Sequence, residues 1–133
     1  DSKTIAYKVK KVLEMVNLSG YENRSIHQLS GGQQQRVAIA RAIVRRPEIY
    51  VFDDSFSALD FKTDKTLRQA LSAETKEATV VIVAQRINTI KDADKIIVLD
   101  DGKINAIGTH DELLGTNEIY TEVYNSQQEG GKE

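Results

Sequence analysis

The chain has 133 residues, enough for one domain with its own core, and is 40% hydrophobic and 29% charged, an ordinary globular balance. Its 18 basic and 20 acidic side chains are interleaved to a net charge of −2, which leaves no basic field to attract nucleic acid. It has no cysteine, so disulfides and thiolate metal sites are excluded, no signal-peptide pattern, and no run approaching the roughly 20 apolar residues of a membrane span.

In chain order, Ile5, Val9, Val12, Leu13 and Val16 fall at helical spacing and predict an amphipathic helix up to Asn17. Residues 18–28 are polar and read as a loop, with Gly20 as the helix stop. Ser30, followed three residues later by Gln33, makes a capping-box pattern. Val37, Ile39, Ala40, Ile43 and Val44 carry the helix it opens, and Pro47 ends it. Residues 49–54 form an apolar strand closing in Asp53 and Asp54, and residues 61–73 a helix turning Leu67, Ala70 and Leu71 inward. The unbroken run of residues 79–83 suits a central parallel strand buried on both faces. Two apolar runs, 95–99 and 103–107, flank Asp100-Asp101-Gly102 and predict a hairpin. Thr109 and Glu112 repeat the capping box before a short helix ending near Gly115. A last helix, 118–127, carries Ile119, Tyr120, Val123 and Tyr124 ahead of a polar tail, 128–133, expected to fray. Helices alternating with strands indicate an α/β layer fold.

The chemistry concentrates in four segments. Leu29-Ser30-Gly31-Gly32-Gln33 opens a long helix with bare glycine amides and a hydroxyl, where unpaired N–H groups and the helix dipole favour an anion. An ordinary capped helix start would look the same when taken alone. Asp53 and Asp54 end a strand where open α/β sheets place ligands, and a carboxylate there commonly serves a Mg²⁺–phosphate group. Ser57-Ala58-Leu59-Asp60 follows, and the second strand runs out at Gln85-Arg86. In this order the chain resembles the nucleotide-binding domain of ABC transporters, with LSGGQ signature, Walker B, D-loop and switch position. The resemblance extends through Gly108-Thr109-His110-Asp111-Glu112-Leu113 and so covers nearly the whole chain.

No G-x-x-x-x-G-K-[ST] phosphate loop occurs, and the only adjacent glycine pairs are Gly31-Gly32 and Gly130-Gly131. The resemblance therefore implies the C-terminal part of a longer P-loop NTPase-like ABC ATPase domain, its Walker A half missing. Residues 1–46 would form the helical signature subdomain. Residues 47–127 would hold Walker B, D-loop, switch and C-terminal region of the parallel-sheet core.

It also implies ATP and Mg²⁺ as cofactors, with Asp53 as metal ligand. Asp54 stands where most active members carry the glutamate that activates water, and Gln85 where they carry a histidine facing the γ-phosphate. Asp is one methylene shorter than Glu, and Gln can neither carry charge nor shuttle a proton. Asp54 and Gln85 thus mark a catalytic site that binds but scarcely hydrolyses. Leu29, Ser30, Gly31, Gly32 and Gln33 would close over nucleotide held by a second ABC ATPase subunit, and Ser57 and Asp60 of the D-loop would couple the two sites. An intact signature beside a damaged own site is the pattern of heterodimeric exporters of multidrug or lipid type. That implies a partner with Glu and His in place and a weakened signature, an attached transmembrane domain, and a position on the cytoplasmic face of the membrane. The chain alone is then expected to be an inactive part of an ATP hydrolase. Competing readings are a soluble ABC-type ATPase of DNA repair, chromosome or translation machinery, and a non-catalytic interaction module; the segment 85–113 favours the exporter. His27 reads as a surface or interface residue rather than a ligand, and His110 as exposed and structural. Arg36, Arg41, Arg45 and Arg46 fit a solvated face as well as phosphate contacts, and Tyr120 and Tyr124 ordinary packing.

Overall fold

Asp1 accepts a hydrogen bond from the Lys3 N–H (3.2 Å) and so opens the first helix, α1, Ser2–Met15, of a computed structural model that describes residues 1–129. The helix stops earlier than its apolar spacing predicts, and Asn17 rather than Gly20 stops it. Asn17 takes a left-handed conformation (φ 57°), the Leu18 N–H reaches back to the Leu13 carbonyl at 2.7 Å, and the Asn17 N–H donates to Glu14 at 3.0 Å. This is the Schellman pattern, completed by the apolar side chains of Leu13 and Leu18, both buried. Asparagine tolerates positive φ well enough to replace glycine here. Gly20, also at positive φ, sits in the turn that follows. Only the last turns of α1 pack: Val12, Leu13 and Val16 join the core, whereas Ile5 and Val9 are exposed.

A short 3₁₀ turn, Ile26–Gln28, leads to α2, Gly31–Arg45, which ends with Arg46 in the left-handed region just before Pro47. Ile39, Ala40 and Ile43 are its buried face. Strand β1, Ile49–Asp53, then alternates: Tyr50 and Phe52 are buried, stacked 5.9 Å apart, while Ile49, Val51 and Asp53 face outward. Helix α3, Phe61–Glu74, buries Leu67 and Leu71 beside Asp64, whose carboxylate is held by Arg68 at 2.9 Å. Strand β2, Thr79–Val83, pairs with β1 in parallel, Val51 opposite Val81 and Asp53 opposite Val83.

The parallel pairing agrees with the sequence, but the predicted burial of β2 on both faces does not. Val80, Val81 and Val83 are exposed, Val83 at 52%. The pleat explains Val81 and Val83, whereas Val80 lies beside Tyr50 on the core-facing side and is exposed at that face's margin. The face bearing Tyr50, Phe52 and Ile82 packs on the core, and the opposite face, with Ile49, Val51, Val81 and Val83, has no covering layer among the described residues.

The chain divides into two compact units, Asp1–Val83 and the residues from Ala84 onward. In the second, the one-turn α4, Ile87–Ile90, precedes strands β3, Ile96–Asp100, and β4, Lys103–Gly108. These pair antiparallel through the two-residue loop Asp101-Gly102, both at positive φ (47° and 72°), as a primed hairpin turn requires. Helices α5, His110–Thr116, and α6, Glu118–Glu129, close over Ile87, Ile96, Leu113 and Tyr120. The last helix runs through Gln128 and Glu129, and the rest of the predicted tail, residues 130–133, lies outside the described residues.

Candidate functional site

The predicted helix start forms as its capping box dictates. The Gln33 N–H donates to Ser30 Oγ (3.3 Å), and the Ser30 N–H donates to Gln33 Oε1 (2.9 Å). Gln33 also donates through Nε2 to Tyr21 Oη (3.2 Å), whose ring carries the Arg24 guanidinium at 5.0 Å. Gln33 is therefore committed to holding the helix start, and Leu29 precedes it with its carbonyl accepting from Gln34 Nε2 at 3.1 Å. Ser30 uses an oxygen lone pair for the cap, which leaves its O–H free to donate.

The two glycines differ. A Cβ at Gly31 would meet no heavy atom of another part of the chain within 4 Å, so the helix start is open on that side. A Cβ at Gly32 would lie 3.0 Å from the Ala58 carbonyl oxygen and 3.6 Å from Leu59. Any side chain at Gly32 would make the Ala58 carbonyl give by a few tenths of an ångström, so glycine favours the close approach of the turn 54–59 to α2.

That turn begins at Asp54, which takes a left-handed conformation (φ 50°) while its N–H donates to the Val83 carbonyl at 3.0 Å. Asp53, one residue earlier, is exposed and shares the open sheet face with Val51 and Val81. The reversal at Asp54 carries its exposed side chain off the strand line, and Ser57 Oγ donates to the Asp54 carbonyl at 3.0 Å. Phe56 and Leu59 bury themselves in the core, so Ser57 and Ala58 form an exposed tip. Asp60 ends the turn as N-cap of α3. Its Oδ1 accepts from the Thr63 N–H (2.9 Å) and its Oδ2 from the Thr63 hydroxyl (2.6 Å). These bonds, the hydroxyl's first, hold the Asp60 carboxyl below the usual carboxylate range.

Two residues beyond the expected set also serve this first unit. Gln35 lies one helical turn after Gly32; it accepts from the Ala58 N–H through Oε1 (3.2 Å) and approaches Ser57 Oγ through Nε2 (3.5 Å). Arg36 is half-buried instead of lying on a solvated face. Its Nη1 donates to the Asn17 (3.0 Å) and Val16 (3.4 Å) carbonyls at the end of α1, and its Nε to Gly32 (3.4 Å). Only the spacing of Gln35 three residues from Gly32 could have announced the first contact. Arg41, Arg45 and Arg46 are exposed.

In the second unit Gln85 is exposed, and its backbone carbonyl accepts from Gln127 Nε2 at 2.8 Å. Gln127 Oε1 accepts in turn from the Ile87 N–H (2.9 Å), so one α6 side chain fixes the segment after β2. His110 is half-buried, not exposed as its place in a capped first turn suggests. Its Nδ1 lies 2.8 Å from Tyr120 Oη, with the Tyr124 ring at 5.4 Å. Burial, helped by Tyr124, pushes the Tyr120 phenol above its ordinary value. His27 is exposed.

The open helix start suits an anion and the strand-end carboxylates suit a divalent cation, with a tight turn between the two places. The ABC transporter family profile matches residues 2–57. An ABC transporter ATP-binding protein of Mycobacterium tuberculosis is 52% identical over 98 residues, 74% of this chain and 17% of that protein. The ATP-dependent lipid A-core flippase of Francisella tularensis is 39% identical over 118 residues, 89% of this chain and 19% of the flippase. The structure of a bacterial Atm1-family ABC exporter with ATP bound superposes with a TM-score of 0.81 at 32% identity, over 91% of this chain and 23% of the exporter. The chain is homologous to ABC exporter ATP-binding proteins. Its fold is that of part of the ABC ATPase domain, and it spans under a fifth of the length of these two curated relatives.

ABC ATPase domains bind ATP, typically with Mg²⁺. The described residues contain no cluster of three or more His, Cys, Asp or Glu side chains able to cage a metal. That donor set still fits Mg²⁺, which takes one or two protein carboxylates and completes its octahedron with water and substrate phosphates.

Proposed function

We propose that this chain is the ATP-binding and energy-coupling segment of an ABC exporter, acting where two ATPase domains meet head to tail. Ser30, Gly31 and Gly32, with Leu29 and Gln33 shaping the turn, present amides and a hydroxyl to the γ-phosphate of nucleotide held by a partner subunit. Asp53 would hold Mg²⁺ at this chain's own site, where the ion neutralises phosphate charge. Asp54 is the shortened base there, and Gln85 the uncharged residue at the switch position. Ser57 and Asp60 belong to the D-loop between the two sites. The assembly is a heterodimer whose other subunit carries Glu and His with a weakened signature, joined to a transmembrane domain at the cytoplasmic face of the membrane. The names of the flippase and of the Atm1-family exporter support the exporter class.

The single observation carrying this reading is the open space over Gly31 beside a filled one over Gly32. The inner glycine packs closely on the turn, while the outer one leaves room for a group approaching from outside. The uncovered apolar face of β1 and β2 supports a further layer in the parent protein, including the phosphate loop this chain lacks. Because that loop and its lysine supply most phosphate contacts in such enzymes, the 133-residue chain by itself is expected to bind MgATP too weakly to register as micromolar binding. Titration calorimetry checks this. Saturable, Mg²⁺-dependent turnover by the pure chain would overturn the assignment.

A further inference from the structure

We propose that Gln35 is a positioning residue that clamps the turn 54–59 to the start of α2, so that Asp54 and the Ser30-Gly31-Gly32 helix start move as one element. This rests on the functional reading above, in which those two places serve different nucleotides.

The contacts converge on a single residue. Ala58 is gripped on both sides of its backbone: its N–H donates to Gln35 Oε1 at 3.2 Å, and its carbonyl oxygen rests over Gly32, where a Cβ would come within 3.0 Å. Gly32 and Gln35 are three apart in α2 and therefore share a face. The clamp continues from Gln35 to Ser57 Oγ (3.5 Å), and from Ser57 Oγ to the Asp54 carbonyl (3.0 Å). An unbroken path of side chain and backbone thus runs from the carboxylate-bearing corner to the helix start. Phe56 and Leu59 hold the turn's flanks in the core, but its tip, Ser57 and Ala58, is exposed and is steadied on the α2 side by Gln35. An exposed tip held by hydrogen bonds, rather than by burial, depends on those bonds for its position. Gln35 supplies the bonds through which the turn tracks α2.

The test uses the assembled transporter with Gln35→Met, which keeps length and packing but loses the amide, and Gln35→Glu, which keeps the acceptor for Ala58. Hydrogen exchange of the 54–60 segment is measured alongside the ATP dependence of hydrolysis. Losing one neutral hydrogen bond should speed exchange of that segment about three- to tenfold in Gln35→Met. Exchange in α3 and β1 should stay unchanged, and Gln35→Glu should restore protection. Hydrolysis by wild type and Gln35→Glu should rise sigmoidally with ATP. In Gln35→Met the curve should become hyperbolic with a lower kcat, because filling one site no longer sets the other. Unchanged exchange in Gln35→Met, or faster exchange with an unaltered ATP curve, would overturn the proposal. Absence of ATP turnover in the wild-type assembly would instead overturn the functional reading, and the exchange measurement would still decide whether Gln35 clamps the turn.

Discussion

Gly31→Asp in the assembled transporter is expected to reduce steady-state ATP hydrolysis by at least the roughly 10²–10³ that loss of one well-placed anion-stabilising donor costs. A carboxylate would then stand where the γ-phosphate must approach, adding repulsion to the lost close contact. The fold has no reason to suffer. Nothing lies within 4 Å of the added Cβ, and an acid in the first turn of a helix is favoured by the dipole. Thermal unfolding should therefore be unchanged while turnover collapses. Asp54→Asn is the matched control: the residue is exposed, its left-handed φ of 50° suits asparagine as well as aspartate, and on the proposed reading the base it removes is already too short to serve. Turnover should stay near normal. Loss of activity in Asp54→Asn with full activity in Gly31→Asp would reverse the assigned roles.

The double change Asp54→Glu with Gln85→His is expected to raise hydrolysis at this chain's own site about a hundredfold. The Asp54 carboxylate falls about 1.5 Å short of a glutamate, one carbon–carbon bond, and a misplacement of about 1 Å can cost around a hundredfold in rate. Histidine restores a group able to carry charge and move a proton. Two structural facts bear on the outcome. Glutamate at positive φ is less comfortable than aspartate, at a cost of about 1 kcal/mol in stability. Gln85 is anchored through its backbone carbonyl by Gln127, so replacing its side chain leaves that anchor in place. Single-turnover assays with the partner's site disabled measure the gain. A rate no higher than wild type would mean that the defect does not lie at these two positions.

Local rules made part of this molecule legible in its sequence. The Ser30–Gln33 and Thr109–Glu112 capping boxes and the Asp101-Gly102 turn formed as their residues dictate, because each is decided within four residues. The apolar spacing places the end of α1 at Asn17, close to where it lies, but the stop is Asn17 itself and not Gly20, because asparagine here does what glycine usually does. Burial of β2 was misjudged because a β-branched run states what a strand can tolerate, whereas exposure depends on whether another layer lies over it. At the candidate site, residue types and order were visible, but the difference between Gly31 and Gly32, the reversal at Asp54 and the grip of Gln35 on Ala58 were not. The first and last arise where α2 meets a turn more than 20 residues later, and the reversal where Asp54 bonds to Val83 of β2; no local pattern encodes those distances. Arg36 was ambiguous for the same reason; its partners are carbonyls of α1's end, which only the packed helices bring near.

The division of labour between the two nucleotide sites is tested most directly by rapid acid quench of the assembled transporter loaded with radiolabelled ATP. The label still present as ATP is counted after one turnover. With Asp54 and Gln85 at one site and this chain's signature completing the other, half of the tightly bound nucleotide should become ADP while half persists as ATP over many turnover times. Conversion of both halves at one common rate would contradict the account.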